Sequence, residues 1–143
     1  MIVLRDAVAE DYAAITEINR IAFGYDYPAD KTRARLSLIL TKPENRLFVA
    51  EEDGEVIGYI HGANYDCSYC GPLKNILAIA VLPERQGKGA GRLLLTRLEE
   101  WAREEGCEGV RLVSGMNRAE AHKFYAHCGY ALRKEQKNFI KRF

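Results

Sequence analysis

Apolar positions along this chain recur at two periods, and the changes between them divide it into eleven segments. Ile2 to Leu4 is a short apolar run of strand character. From Ala9 to Phe23 the period is helical: Ile15, Ile18 and Ala22 share one stripe, Glu10 and Asp11 sit in the first turn where they favour the helix dipole, and Gly24 follows the last residue. Pro28 makes Tyr25–Pro28 a loop, because the residue before a proline is driven out of the helical region. A second helix is expected over Asp30 to Leu40, with Asp30 as N-cap and Leu36, Ile39 and Leu40 as its apolar side. Leu47–Glu51 and Val56–Asn64 then flank Glu52-Asp53-Gly54-Glu55, and an Asp-Gly pair between two strand-like runs predicts a hairpin.

The next run, Ile76 to Leu82, is wholly apolar and reads as a strand buried on both faces, ended by Pro83. A helix follows with Leu94, Leu98, Trp101 and Ala102 at helical spacing, stopped by Gly106. Val110–Val113 is a further strand. Ala121, Phe124, Tyr125 and Cys128 stand at i, i+3, i+4 and i+7 of a last helix, ended by Gly129, with Asn117 and Glu120 in the places of a capping box. Tyr130–Leu132 and Asn138–Ile140 would close the sheet as an antiparallel pair. The predicted order is β α α β β β α β α β β.

Composition narrows the class. A chain of 143 residues, 48% hydrophobic and 29% charged, is the size of one domain, here 1–143, with a real core. Its 21 basic and 20 acidic residues give a net charge of +1, so the broad basic field that a nucleic acid would require is not expected. Arg5 and Asp6 interrupt the N-terminus before an apolar segment of signal-peptide length develops, and no run has the length of a membrane span, so a cytoplasmic, membrane-free protein is expected. Four cysteines do not make a disulfide framework in a chain of this size.

The candidate chemistry lies between the buried strand and the third helix. Gln86-Gly87-Lys88-Gly89-Ala90-Gly91 packs three glycines into six residues directly ahead of that helix. Glycines admit positive φ and close approach of a ligand to the backbone, and N–H groups converging at a helix N-terminus favour an anion. The stretch therefore reads as a phosphate cradle. It is not a P-loop: Leu82 stands where the first glycine would be and Gly89 where Ser or Thr would follow the lysine. It is not a dinucleotide fingerprint either, since Arg92 occupies the place of the third glycine.

Gln86, Gly89 and Gly91 resemble the signature of the GNAT superfamily of acyl-CoA-dependent N-acetyltransferases: Gln or Arg, two residues, Gly, one residue, Gly or Ala. A second stretch, Arg118 to Tyr130, resembles another common GNAT pattern through Ala121, Phe124, Tyr125, Gly129 and Tyr130, with Arg118 where Asn is commoner. The resemblance implies an α/β (α+β) fold with a mixed, mostly antiparallel, twisted sheet of six to seven strands and about four helices. It implies acetyl-CoA as cofactor, its diphosphate on the amides of Gln86, Gly87, Lys88, Gly89, Ala90, Gly91 and Arg92, and its pantetheine arm against the main chain of Ile79, Ala80 and Val81. It also implies a primary-amine acceptor attacked directly, either a small-molecule amine, aminoglycoside-like amines included, or the amine of a protein or peptide, and Tyr125 as general acid, since a phenol beside the departing thiolate can protonate it. Homodimers are common in the family. The alternative is a non-catalytic acyl-CoA binding or sensing module, because the glutamate many members carry on the strand before the loop is missing from Ile76–Leu82.

Other residues have blander explanations. His61, Asp66, Glu84 and His122 are the candidate bases, each more readily explained as a satisfied or solvated side chain. Tyr25, Asp26 and Tyr27 form an aromatic and acidic stretch suited to a cationic amine. Cys67-Ser68-Tyr69-Cys70 supplies half of a zinc site with no second pair at finger spacing, so no metal is expected, and it lies between two strands rather than at the strand-to-helix junction of a redox motif, so it reads as incidental, the alternative being a metal site completed by a partner. Cys128, on an apolar stripe, reads as a core thiol.

Overall fold

The computed structural model describes residues 1–143, which form two compact units, 1–112 and 113–143. In the first unit five strands form one sheet in the order β1-β2-β3-β4-β5: β1 (Ile2–Asp6), β2 (Asn45–Glu52), β3 (Glu55–Tyr65), β4 (Leu73–Val81) and β5 (Gly109–Leu112). All neighbours are antiparallel except β4 and β5, which run parallel. The β2–β3 hairpin turns through Asp53 (φ 54°) and Gly54 (φ 77°), the paired positive φ values of a turn whose twist suits a hairpin.

Three helices complete this unit: α1 (Tyr12–Phe23), α2 (Ala29–Ile39) and α3 (Ala90–Glu104). A single 3-10 turn, Ala9–Asp11, precedes α1, so the regular helix starts later than the periodicity suggests. The cause is Asp11, whose carboxylate accepts the Val8 amide at 2.8 Å and both Arg5 Nη atoms at 2.9 Å, tightening the entry. α2 starts at Pro28 rather than at the predicted cap Asp30, because Pro28 ends the extended loop (ψ 145°) and leaves Asp30 inside the first turn.

Alternation along the strands sends the two sets of side chains to opposite faces. Leu47, Val49, Tyr59 and Ala80 face one way and meet Ile15 and Ile18 of α1 and Leu36 of α2. Phe48 faces the other way and lies 4.6 Å beneath the Arg97 guanidinium of α3. Gly62 lets α3 come down on that face: a Cβ there would meet Leu98 Cδ1 at 2.3 Å. The far end of α3 is tied to the sheet by Lys74, which is 1% exposed, donates to Asn64 Oδ1 and Glu105, and lies 3.9 Å from the Trp101 ring centroid. A buried ammonium is tolerable only when paired in this way.

The second unit contains α4 (Ala119–His127). Its N-cap is Arg118 with no side-chain hydrogen bond, so the Asn117–Glu120 capping box predicted from spacing does not form. Its C-terminus closes as a Schellman motif, with Gly129 at φ 92°, Gly129 N–H on Ala126 O and Tyr130 N–H on Tyr125 O. The expected strands Tyr130–Leu132 and Asn138–Ile140 are not formed, and the sheet has five strands instead of six to seven. A strand exists through a partner that takes its backbone hydrogen bonds, and the segment after Tyr130 pairs with none; Leu132, Phe139 and Ile140 stand exposed. No helix is long and apolar enough to cross a membrane.

Candidate active site

The glycine-rich loop lies where the sequence places it, between the end of β4 and the start of α3. Leu82 leaves the strand, Pro83–Arg85 makes one 3-10 turn, and Gly87 and Gly89 adopt φ values of 85° and 88°. Gly89 is the N-cap of α3, with no side-chain cap hydrogen bond, and Leu93 N–H to Gly89 O is the first helical bond. The amides of the first turn therefore point out of the helix end with no side chain of their own element to receive them. A Cβ on either Gly87 or Gly89 would find nothing within 4 Å, so open space lies over both. Left-handed backbone, open space and a helix N-terminus together suit a phosphate or diphosphate, whose oxygens can take several N–H groups at once.

Gln86 anchors this loop. Its side-chain amide donates to Val81 O at 3.1 Å and its backbone N–H donates to Pro83 O at 3.3 Å, so it fixes the loop to the last residue of β4. Arg85 is held from the opposite side: its guanidinium donates to Glu52 Oε1 at 2.5 Å and to Glu55 Oε2 at 2.6 Å. Lys88 Nζ lies 3.4 Å from Glu52, with its side chain 54% exposed. The Arg85 hydrogen bond, ahead of that from Lys88, holds the Glu52 carboxyl below the usual carboxylate range. This grip of the β2–β3 hairpin on the loop escapes a reading by local pattern. The only signal for it was the acidic turn EEDGE facing the basic residues of ERQGK, and nothing in the sequence showed that the two meet.

β4 carries a second feature. His61 pairs with Ala78 but Gly62 pairs with Ile76, so Leu77 is an extra, bulged residue, 56% exposed. Pairing with β5 ends at Ile76–Leu112, and beyond it residues 77–81 have β3 on one edge and no strand on the other. Ile79, Ala80 and Val81 thus lie on an open strand edge that runs directly into the loop, and main-chain groups on such an edge are ready to pair with an extended guest.

The remaining predicted residues fall in separate places. Tyr25, Asp26 and Tyr27 lie in the α1–α2 connection of the first unit, with Tyr25 60% and Tyr27 47% exposed. Tyr125 belongs to α4 in the second unit, where its ring is tilted against Phe124 and Tyr130 at centroid distances of 5.7 and 6.3 Å. Burial raises its phenol pKa, and the charge of Arg118 opposes the rise. A phenol held protonated is able to donate a proton and poor at removing one. Cys128 ends α4 half-buried.

Among the candidate bases, His61 is half-buried on β3 with Nε2 2.8 Å from Asn45 Oδ1, and burial pushes its imidazole down to about 4, so it is neutral near pH 7. Asp66 and Glu84 are exposed, and His122 Nε2 lies 2.8 Å from Gly115 O.

The chain is similar to known proteins over most of its length. The model of the acetyltransferase (GNAT) family matches residues 12–130. The chain is 32% identical over 139 residues to aminoalkylphosphonate N-acetyltransferase of Salmonella typhimurium, covering 89% of this chain and 83% of that protein. It is 28% identical over 137 residues to aminoglycoside N(6')-acetyltransferase type 1 of Stenotrophomonas maltophilia, covering 89% and 84%. Among solved structures, AAC(6')-Iy in complex with a bisubstrate analog, CoA-S-monomethyl-acetylneamine, superposes with a TM-score of 0.87 at 18% identity, covering 100% of this chain and 99% of that one. With the family match extending over most of its length and a third of its residues shared with a curated N-acetyltransferase, the chain belongs to the GNAT family of N-acetyltransferases.

Proposed function

We propose that this protein transfers the acetyl group of acetyl-CoA to a primary amine by direct attack. The observation that carries the reading is the start of α3: Gly89 as a left-handed N-cap, no side-chain cap, and open space above it. The first-turn amides would hold the CoA diphosphate, with Lys88 free to turn from Glu52 toward it. The open edge at Ile79, Ala80 and Val81 would receive the amide-bearing pantetheine arm as an added strand, with a main-chain N–H available to polarise the thioester carbonyl. Acetyl-CoA supplies an acyl group activated as a thioester. Tyr125 would hold the proton that the departing sulfur takes up, a role supported by the upward push of burial on its phenol.

The acceptor is proposed as a small amine. That choice rests on the names of the relatives, which act on aminoalkylphosphonates and aminoglycosides, and on the exposed Tyr25, Asp26 and Tyr27, which offer two ring faces and a carboxylate to a cation.

Calorimetry of acetyl-CoA, CoA and ATP against wild type and Gly89→Glu tests the cofactor. Wild type should bind both CoA species and not ATP, and Gly89→Glu should weaken binding by at least about 100-fold while the circular dichroism spectrum is kept, since it puts a carboxylate and a strained φ in the cradle. Failure of folded wild type to bind either CoA species would return the loop to an ordinary strand-to-helix turn. One observation favours a second reading, a non-catalytic acyl-CoA sensor: residues Ile76–Leu82 contain no carboxylate to serve as base. A sensor would bind acetyl-CoA yet release no thiol with any of a panel of amines, aminoalkylphosphonates and aminoglycosides.

A further inference from the structure

The proposed function assigns no step to the thiols in the connection between β3 and β4, yet that connection brings two of them together. Cys67 Sγ and Cys70 Sγ are 3.0 Å apart on the short turn that leads from Tyr65 toward Leu73. A disulfide bond needs an approach of only about 1 Å more. The flanks of the turn are fixed. Arg111 covers the Tyr65 ring at 4.3 Å on one side, and on the other Glu108 N–H donates to Pro72 O at 2.8 Å while the Glu108 carboxylate fills the space beside Gly71. Ser68, Tyr69 and Cys70 stand exposed, so a small reagent can reach the pair.

No group of three or more His, Cys, Asp and Glu side chains converges here or elsewhere in the chain. A thiol pair with no third ligand is a poor metal site and a good redox pair. Cys67 has the character of an attacking thiol. The hydrogen bond from Cys70, followed by the Tyr69 and Cys70 backbone amides, lowers its thiol pKa, and the neighbouring phenol of Tyr69, itself raised by its hydrogen bond with Tyr65, stays neutral beside it.

We infer that Cys67 and Cys70 form a dithiol–disulfide modification site, oxidised by low-molecular-weight disulfides such as glutathione disulfide. The Cys67 thiolate attacks one sulfur of the reagent; its S–S bond breaks, one small thiolate leaves and takes up a proton, and a mixed disulfide remains on Cys67. Cys70 then attacks Cys67 Sγ, the second small thiol departs with the Cys70 proton, and the protein disulfide is complete. Two protein thiols are oxidised and one small disulfide is reduced to two thiols, so no other oxidant is needed.

The test uses the full chain, fully reduced and freed of reductant, then exposed to glutathione disulfide and followed by intact mass and peptide mapping. Wild type should lose two hydrogens, with the cross-link mapped to Cys67–Cys70, and regain them on adding dithiothreitol. Cys70→Ser should stop at a glutathione adduct on Cys67. Cys67→Ser should likewise stop at a glutathione adduct, on Cys70. Circular dichroism confirms that both variants fold. Wild type that stays reduced, a cross-link through Cys107 or Cys128, or disulfides only between chains would each overturn the inference. None of these outcomes depends on CoA binding, so the proposed transfer reaction stands or falls separately.

Discussion

α3 and α4 are written in the same local grammar and end in different circumstances. Each follows a glycine-containing turn, begins without a side-chain cap, and closes on a Schellman glycine: Gly106 N–H to Arg103 O with Cys107 N–H to Ala102 O in one, the Gly129 pair in the other. α3 buries Ala90, Leu94, Leu95, Leu98, Trp101 and Ala102 against the sheet, while α4 buries no residue fully, although Ala121, Phe124, Tyr125 and Cys128 repeat at the same helical spacing. Amphipathic spacing therefore tells which face of a helix is apolar, and the opposing surface decides how much of that face leaves water. For α3 that surface exists because Gly62 makes room for Leu98 and Trp101.

The sharpest way to break this contrast is to truncate the two apolar faces. Leu98→Ala should cost about 3–5 kcal/mol in urea unfolding, because Leu98 is fully buried and its site cannot collapse onto a rigid sheet. Phe124→Ala, on the half-buried face of α4, should cost about 1 kcal/mol or less. Equal losses would mean that α4 is as deeply seated in solution as α3.

A smaller effect asks whether α4 contributes chemistry where it contributes little burial. Tyr125→Phe keeps the ring contacts with Phe124 and Tyr130 and removes only the hydroxyl. It should lower kcat by about 100-fold, with the calorimetric affinity for acetyl-CoA unchanged. A change in affinity with kcat intact would assign Tyr125 to binding.

A pH-dependent effect reads the sheet face opposite α3. Burial holds His61 near 4 against 6.5 for an unperturbed imidazole, so the folded protein keeps it neutral and the unfolded chain takes the proton first. The stability that depends on a neutral His61 is complete above about pH 6.5 and is lost as pH falls toward 4, on the order of 3 kcal/mol in all. His61→Gln should flatten the thermal-melting profile between those values. An unaltered slope would place the titrating group elsewhere.

Legibility differed in the same way between the parts of the site. The cradle is a local object: glycine spacing, a preceding strand and a following helix were readable in six residues, and the positive φ values fall on Gly87 and Gly89 within that motif. The Asp53-Gly54 hairpin and the glycine stops of α1, α3 and α4 were readable for the same reason, since φ > 0 has a cost that glycine avoids. Capping was less readable. Asp30 and Asn117 have suitable side chains, but Pro28 and the turn at Gly115–Arg118 set where the helices start.

Backbone sterics and period alone specify the hairpin, the helices, the strand that feeds the loop, and the glycine cradle. Tertiary structure decided what depends on a partner distant in the chain. It set the bulge at Leu77 and the end of β5 pairing at Leu112, which open the edge at residues 77–81. It paired Arg85 with Glu52 and Glu55 across more than two dozen residues of chain, and it left the segment after Tyr130 without a ladder despite its strand-like composition. A backbone turn is fixed by the residues that make it, whereas a strand edge, an ion pair or a buried face exists only when another segment arrives to complete it.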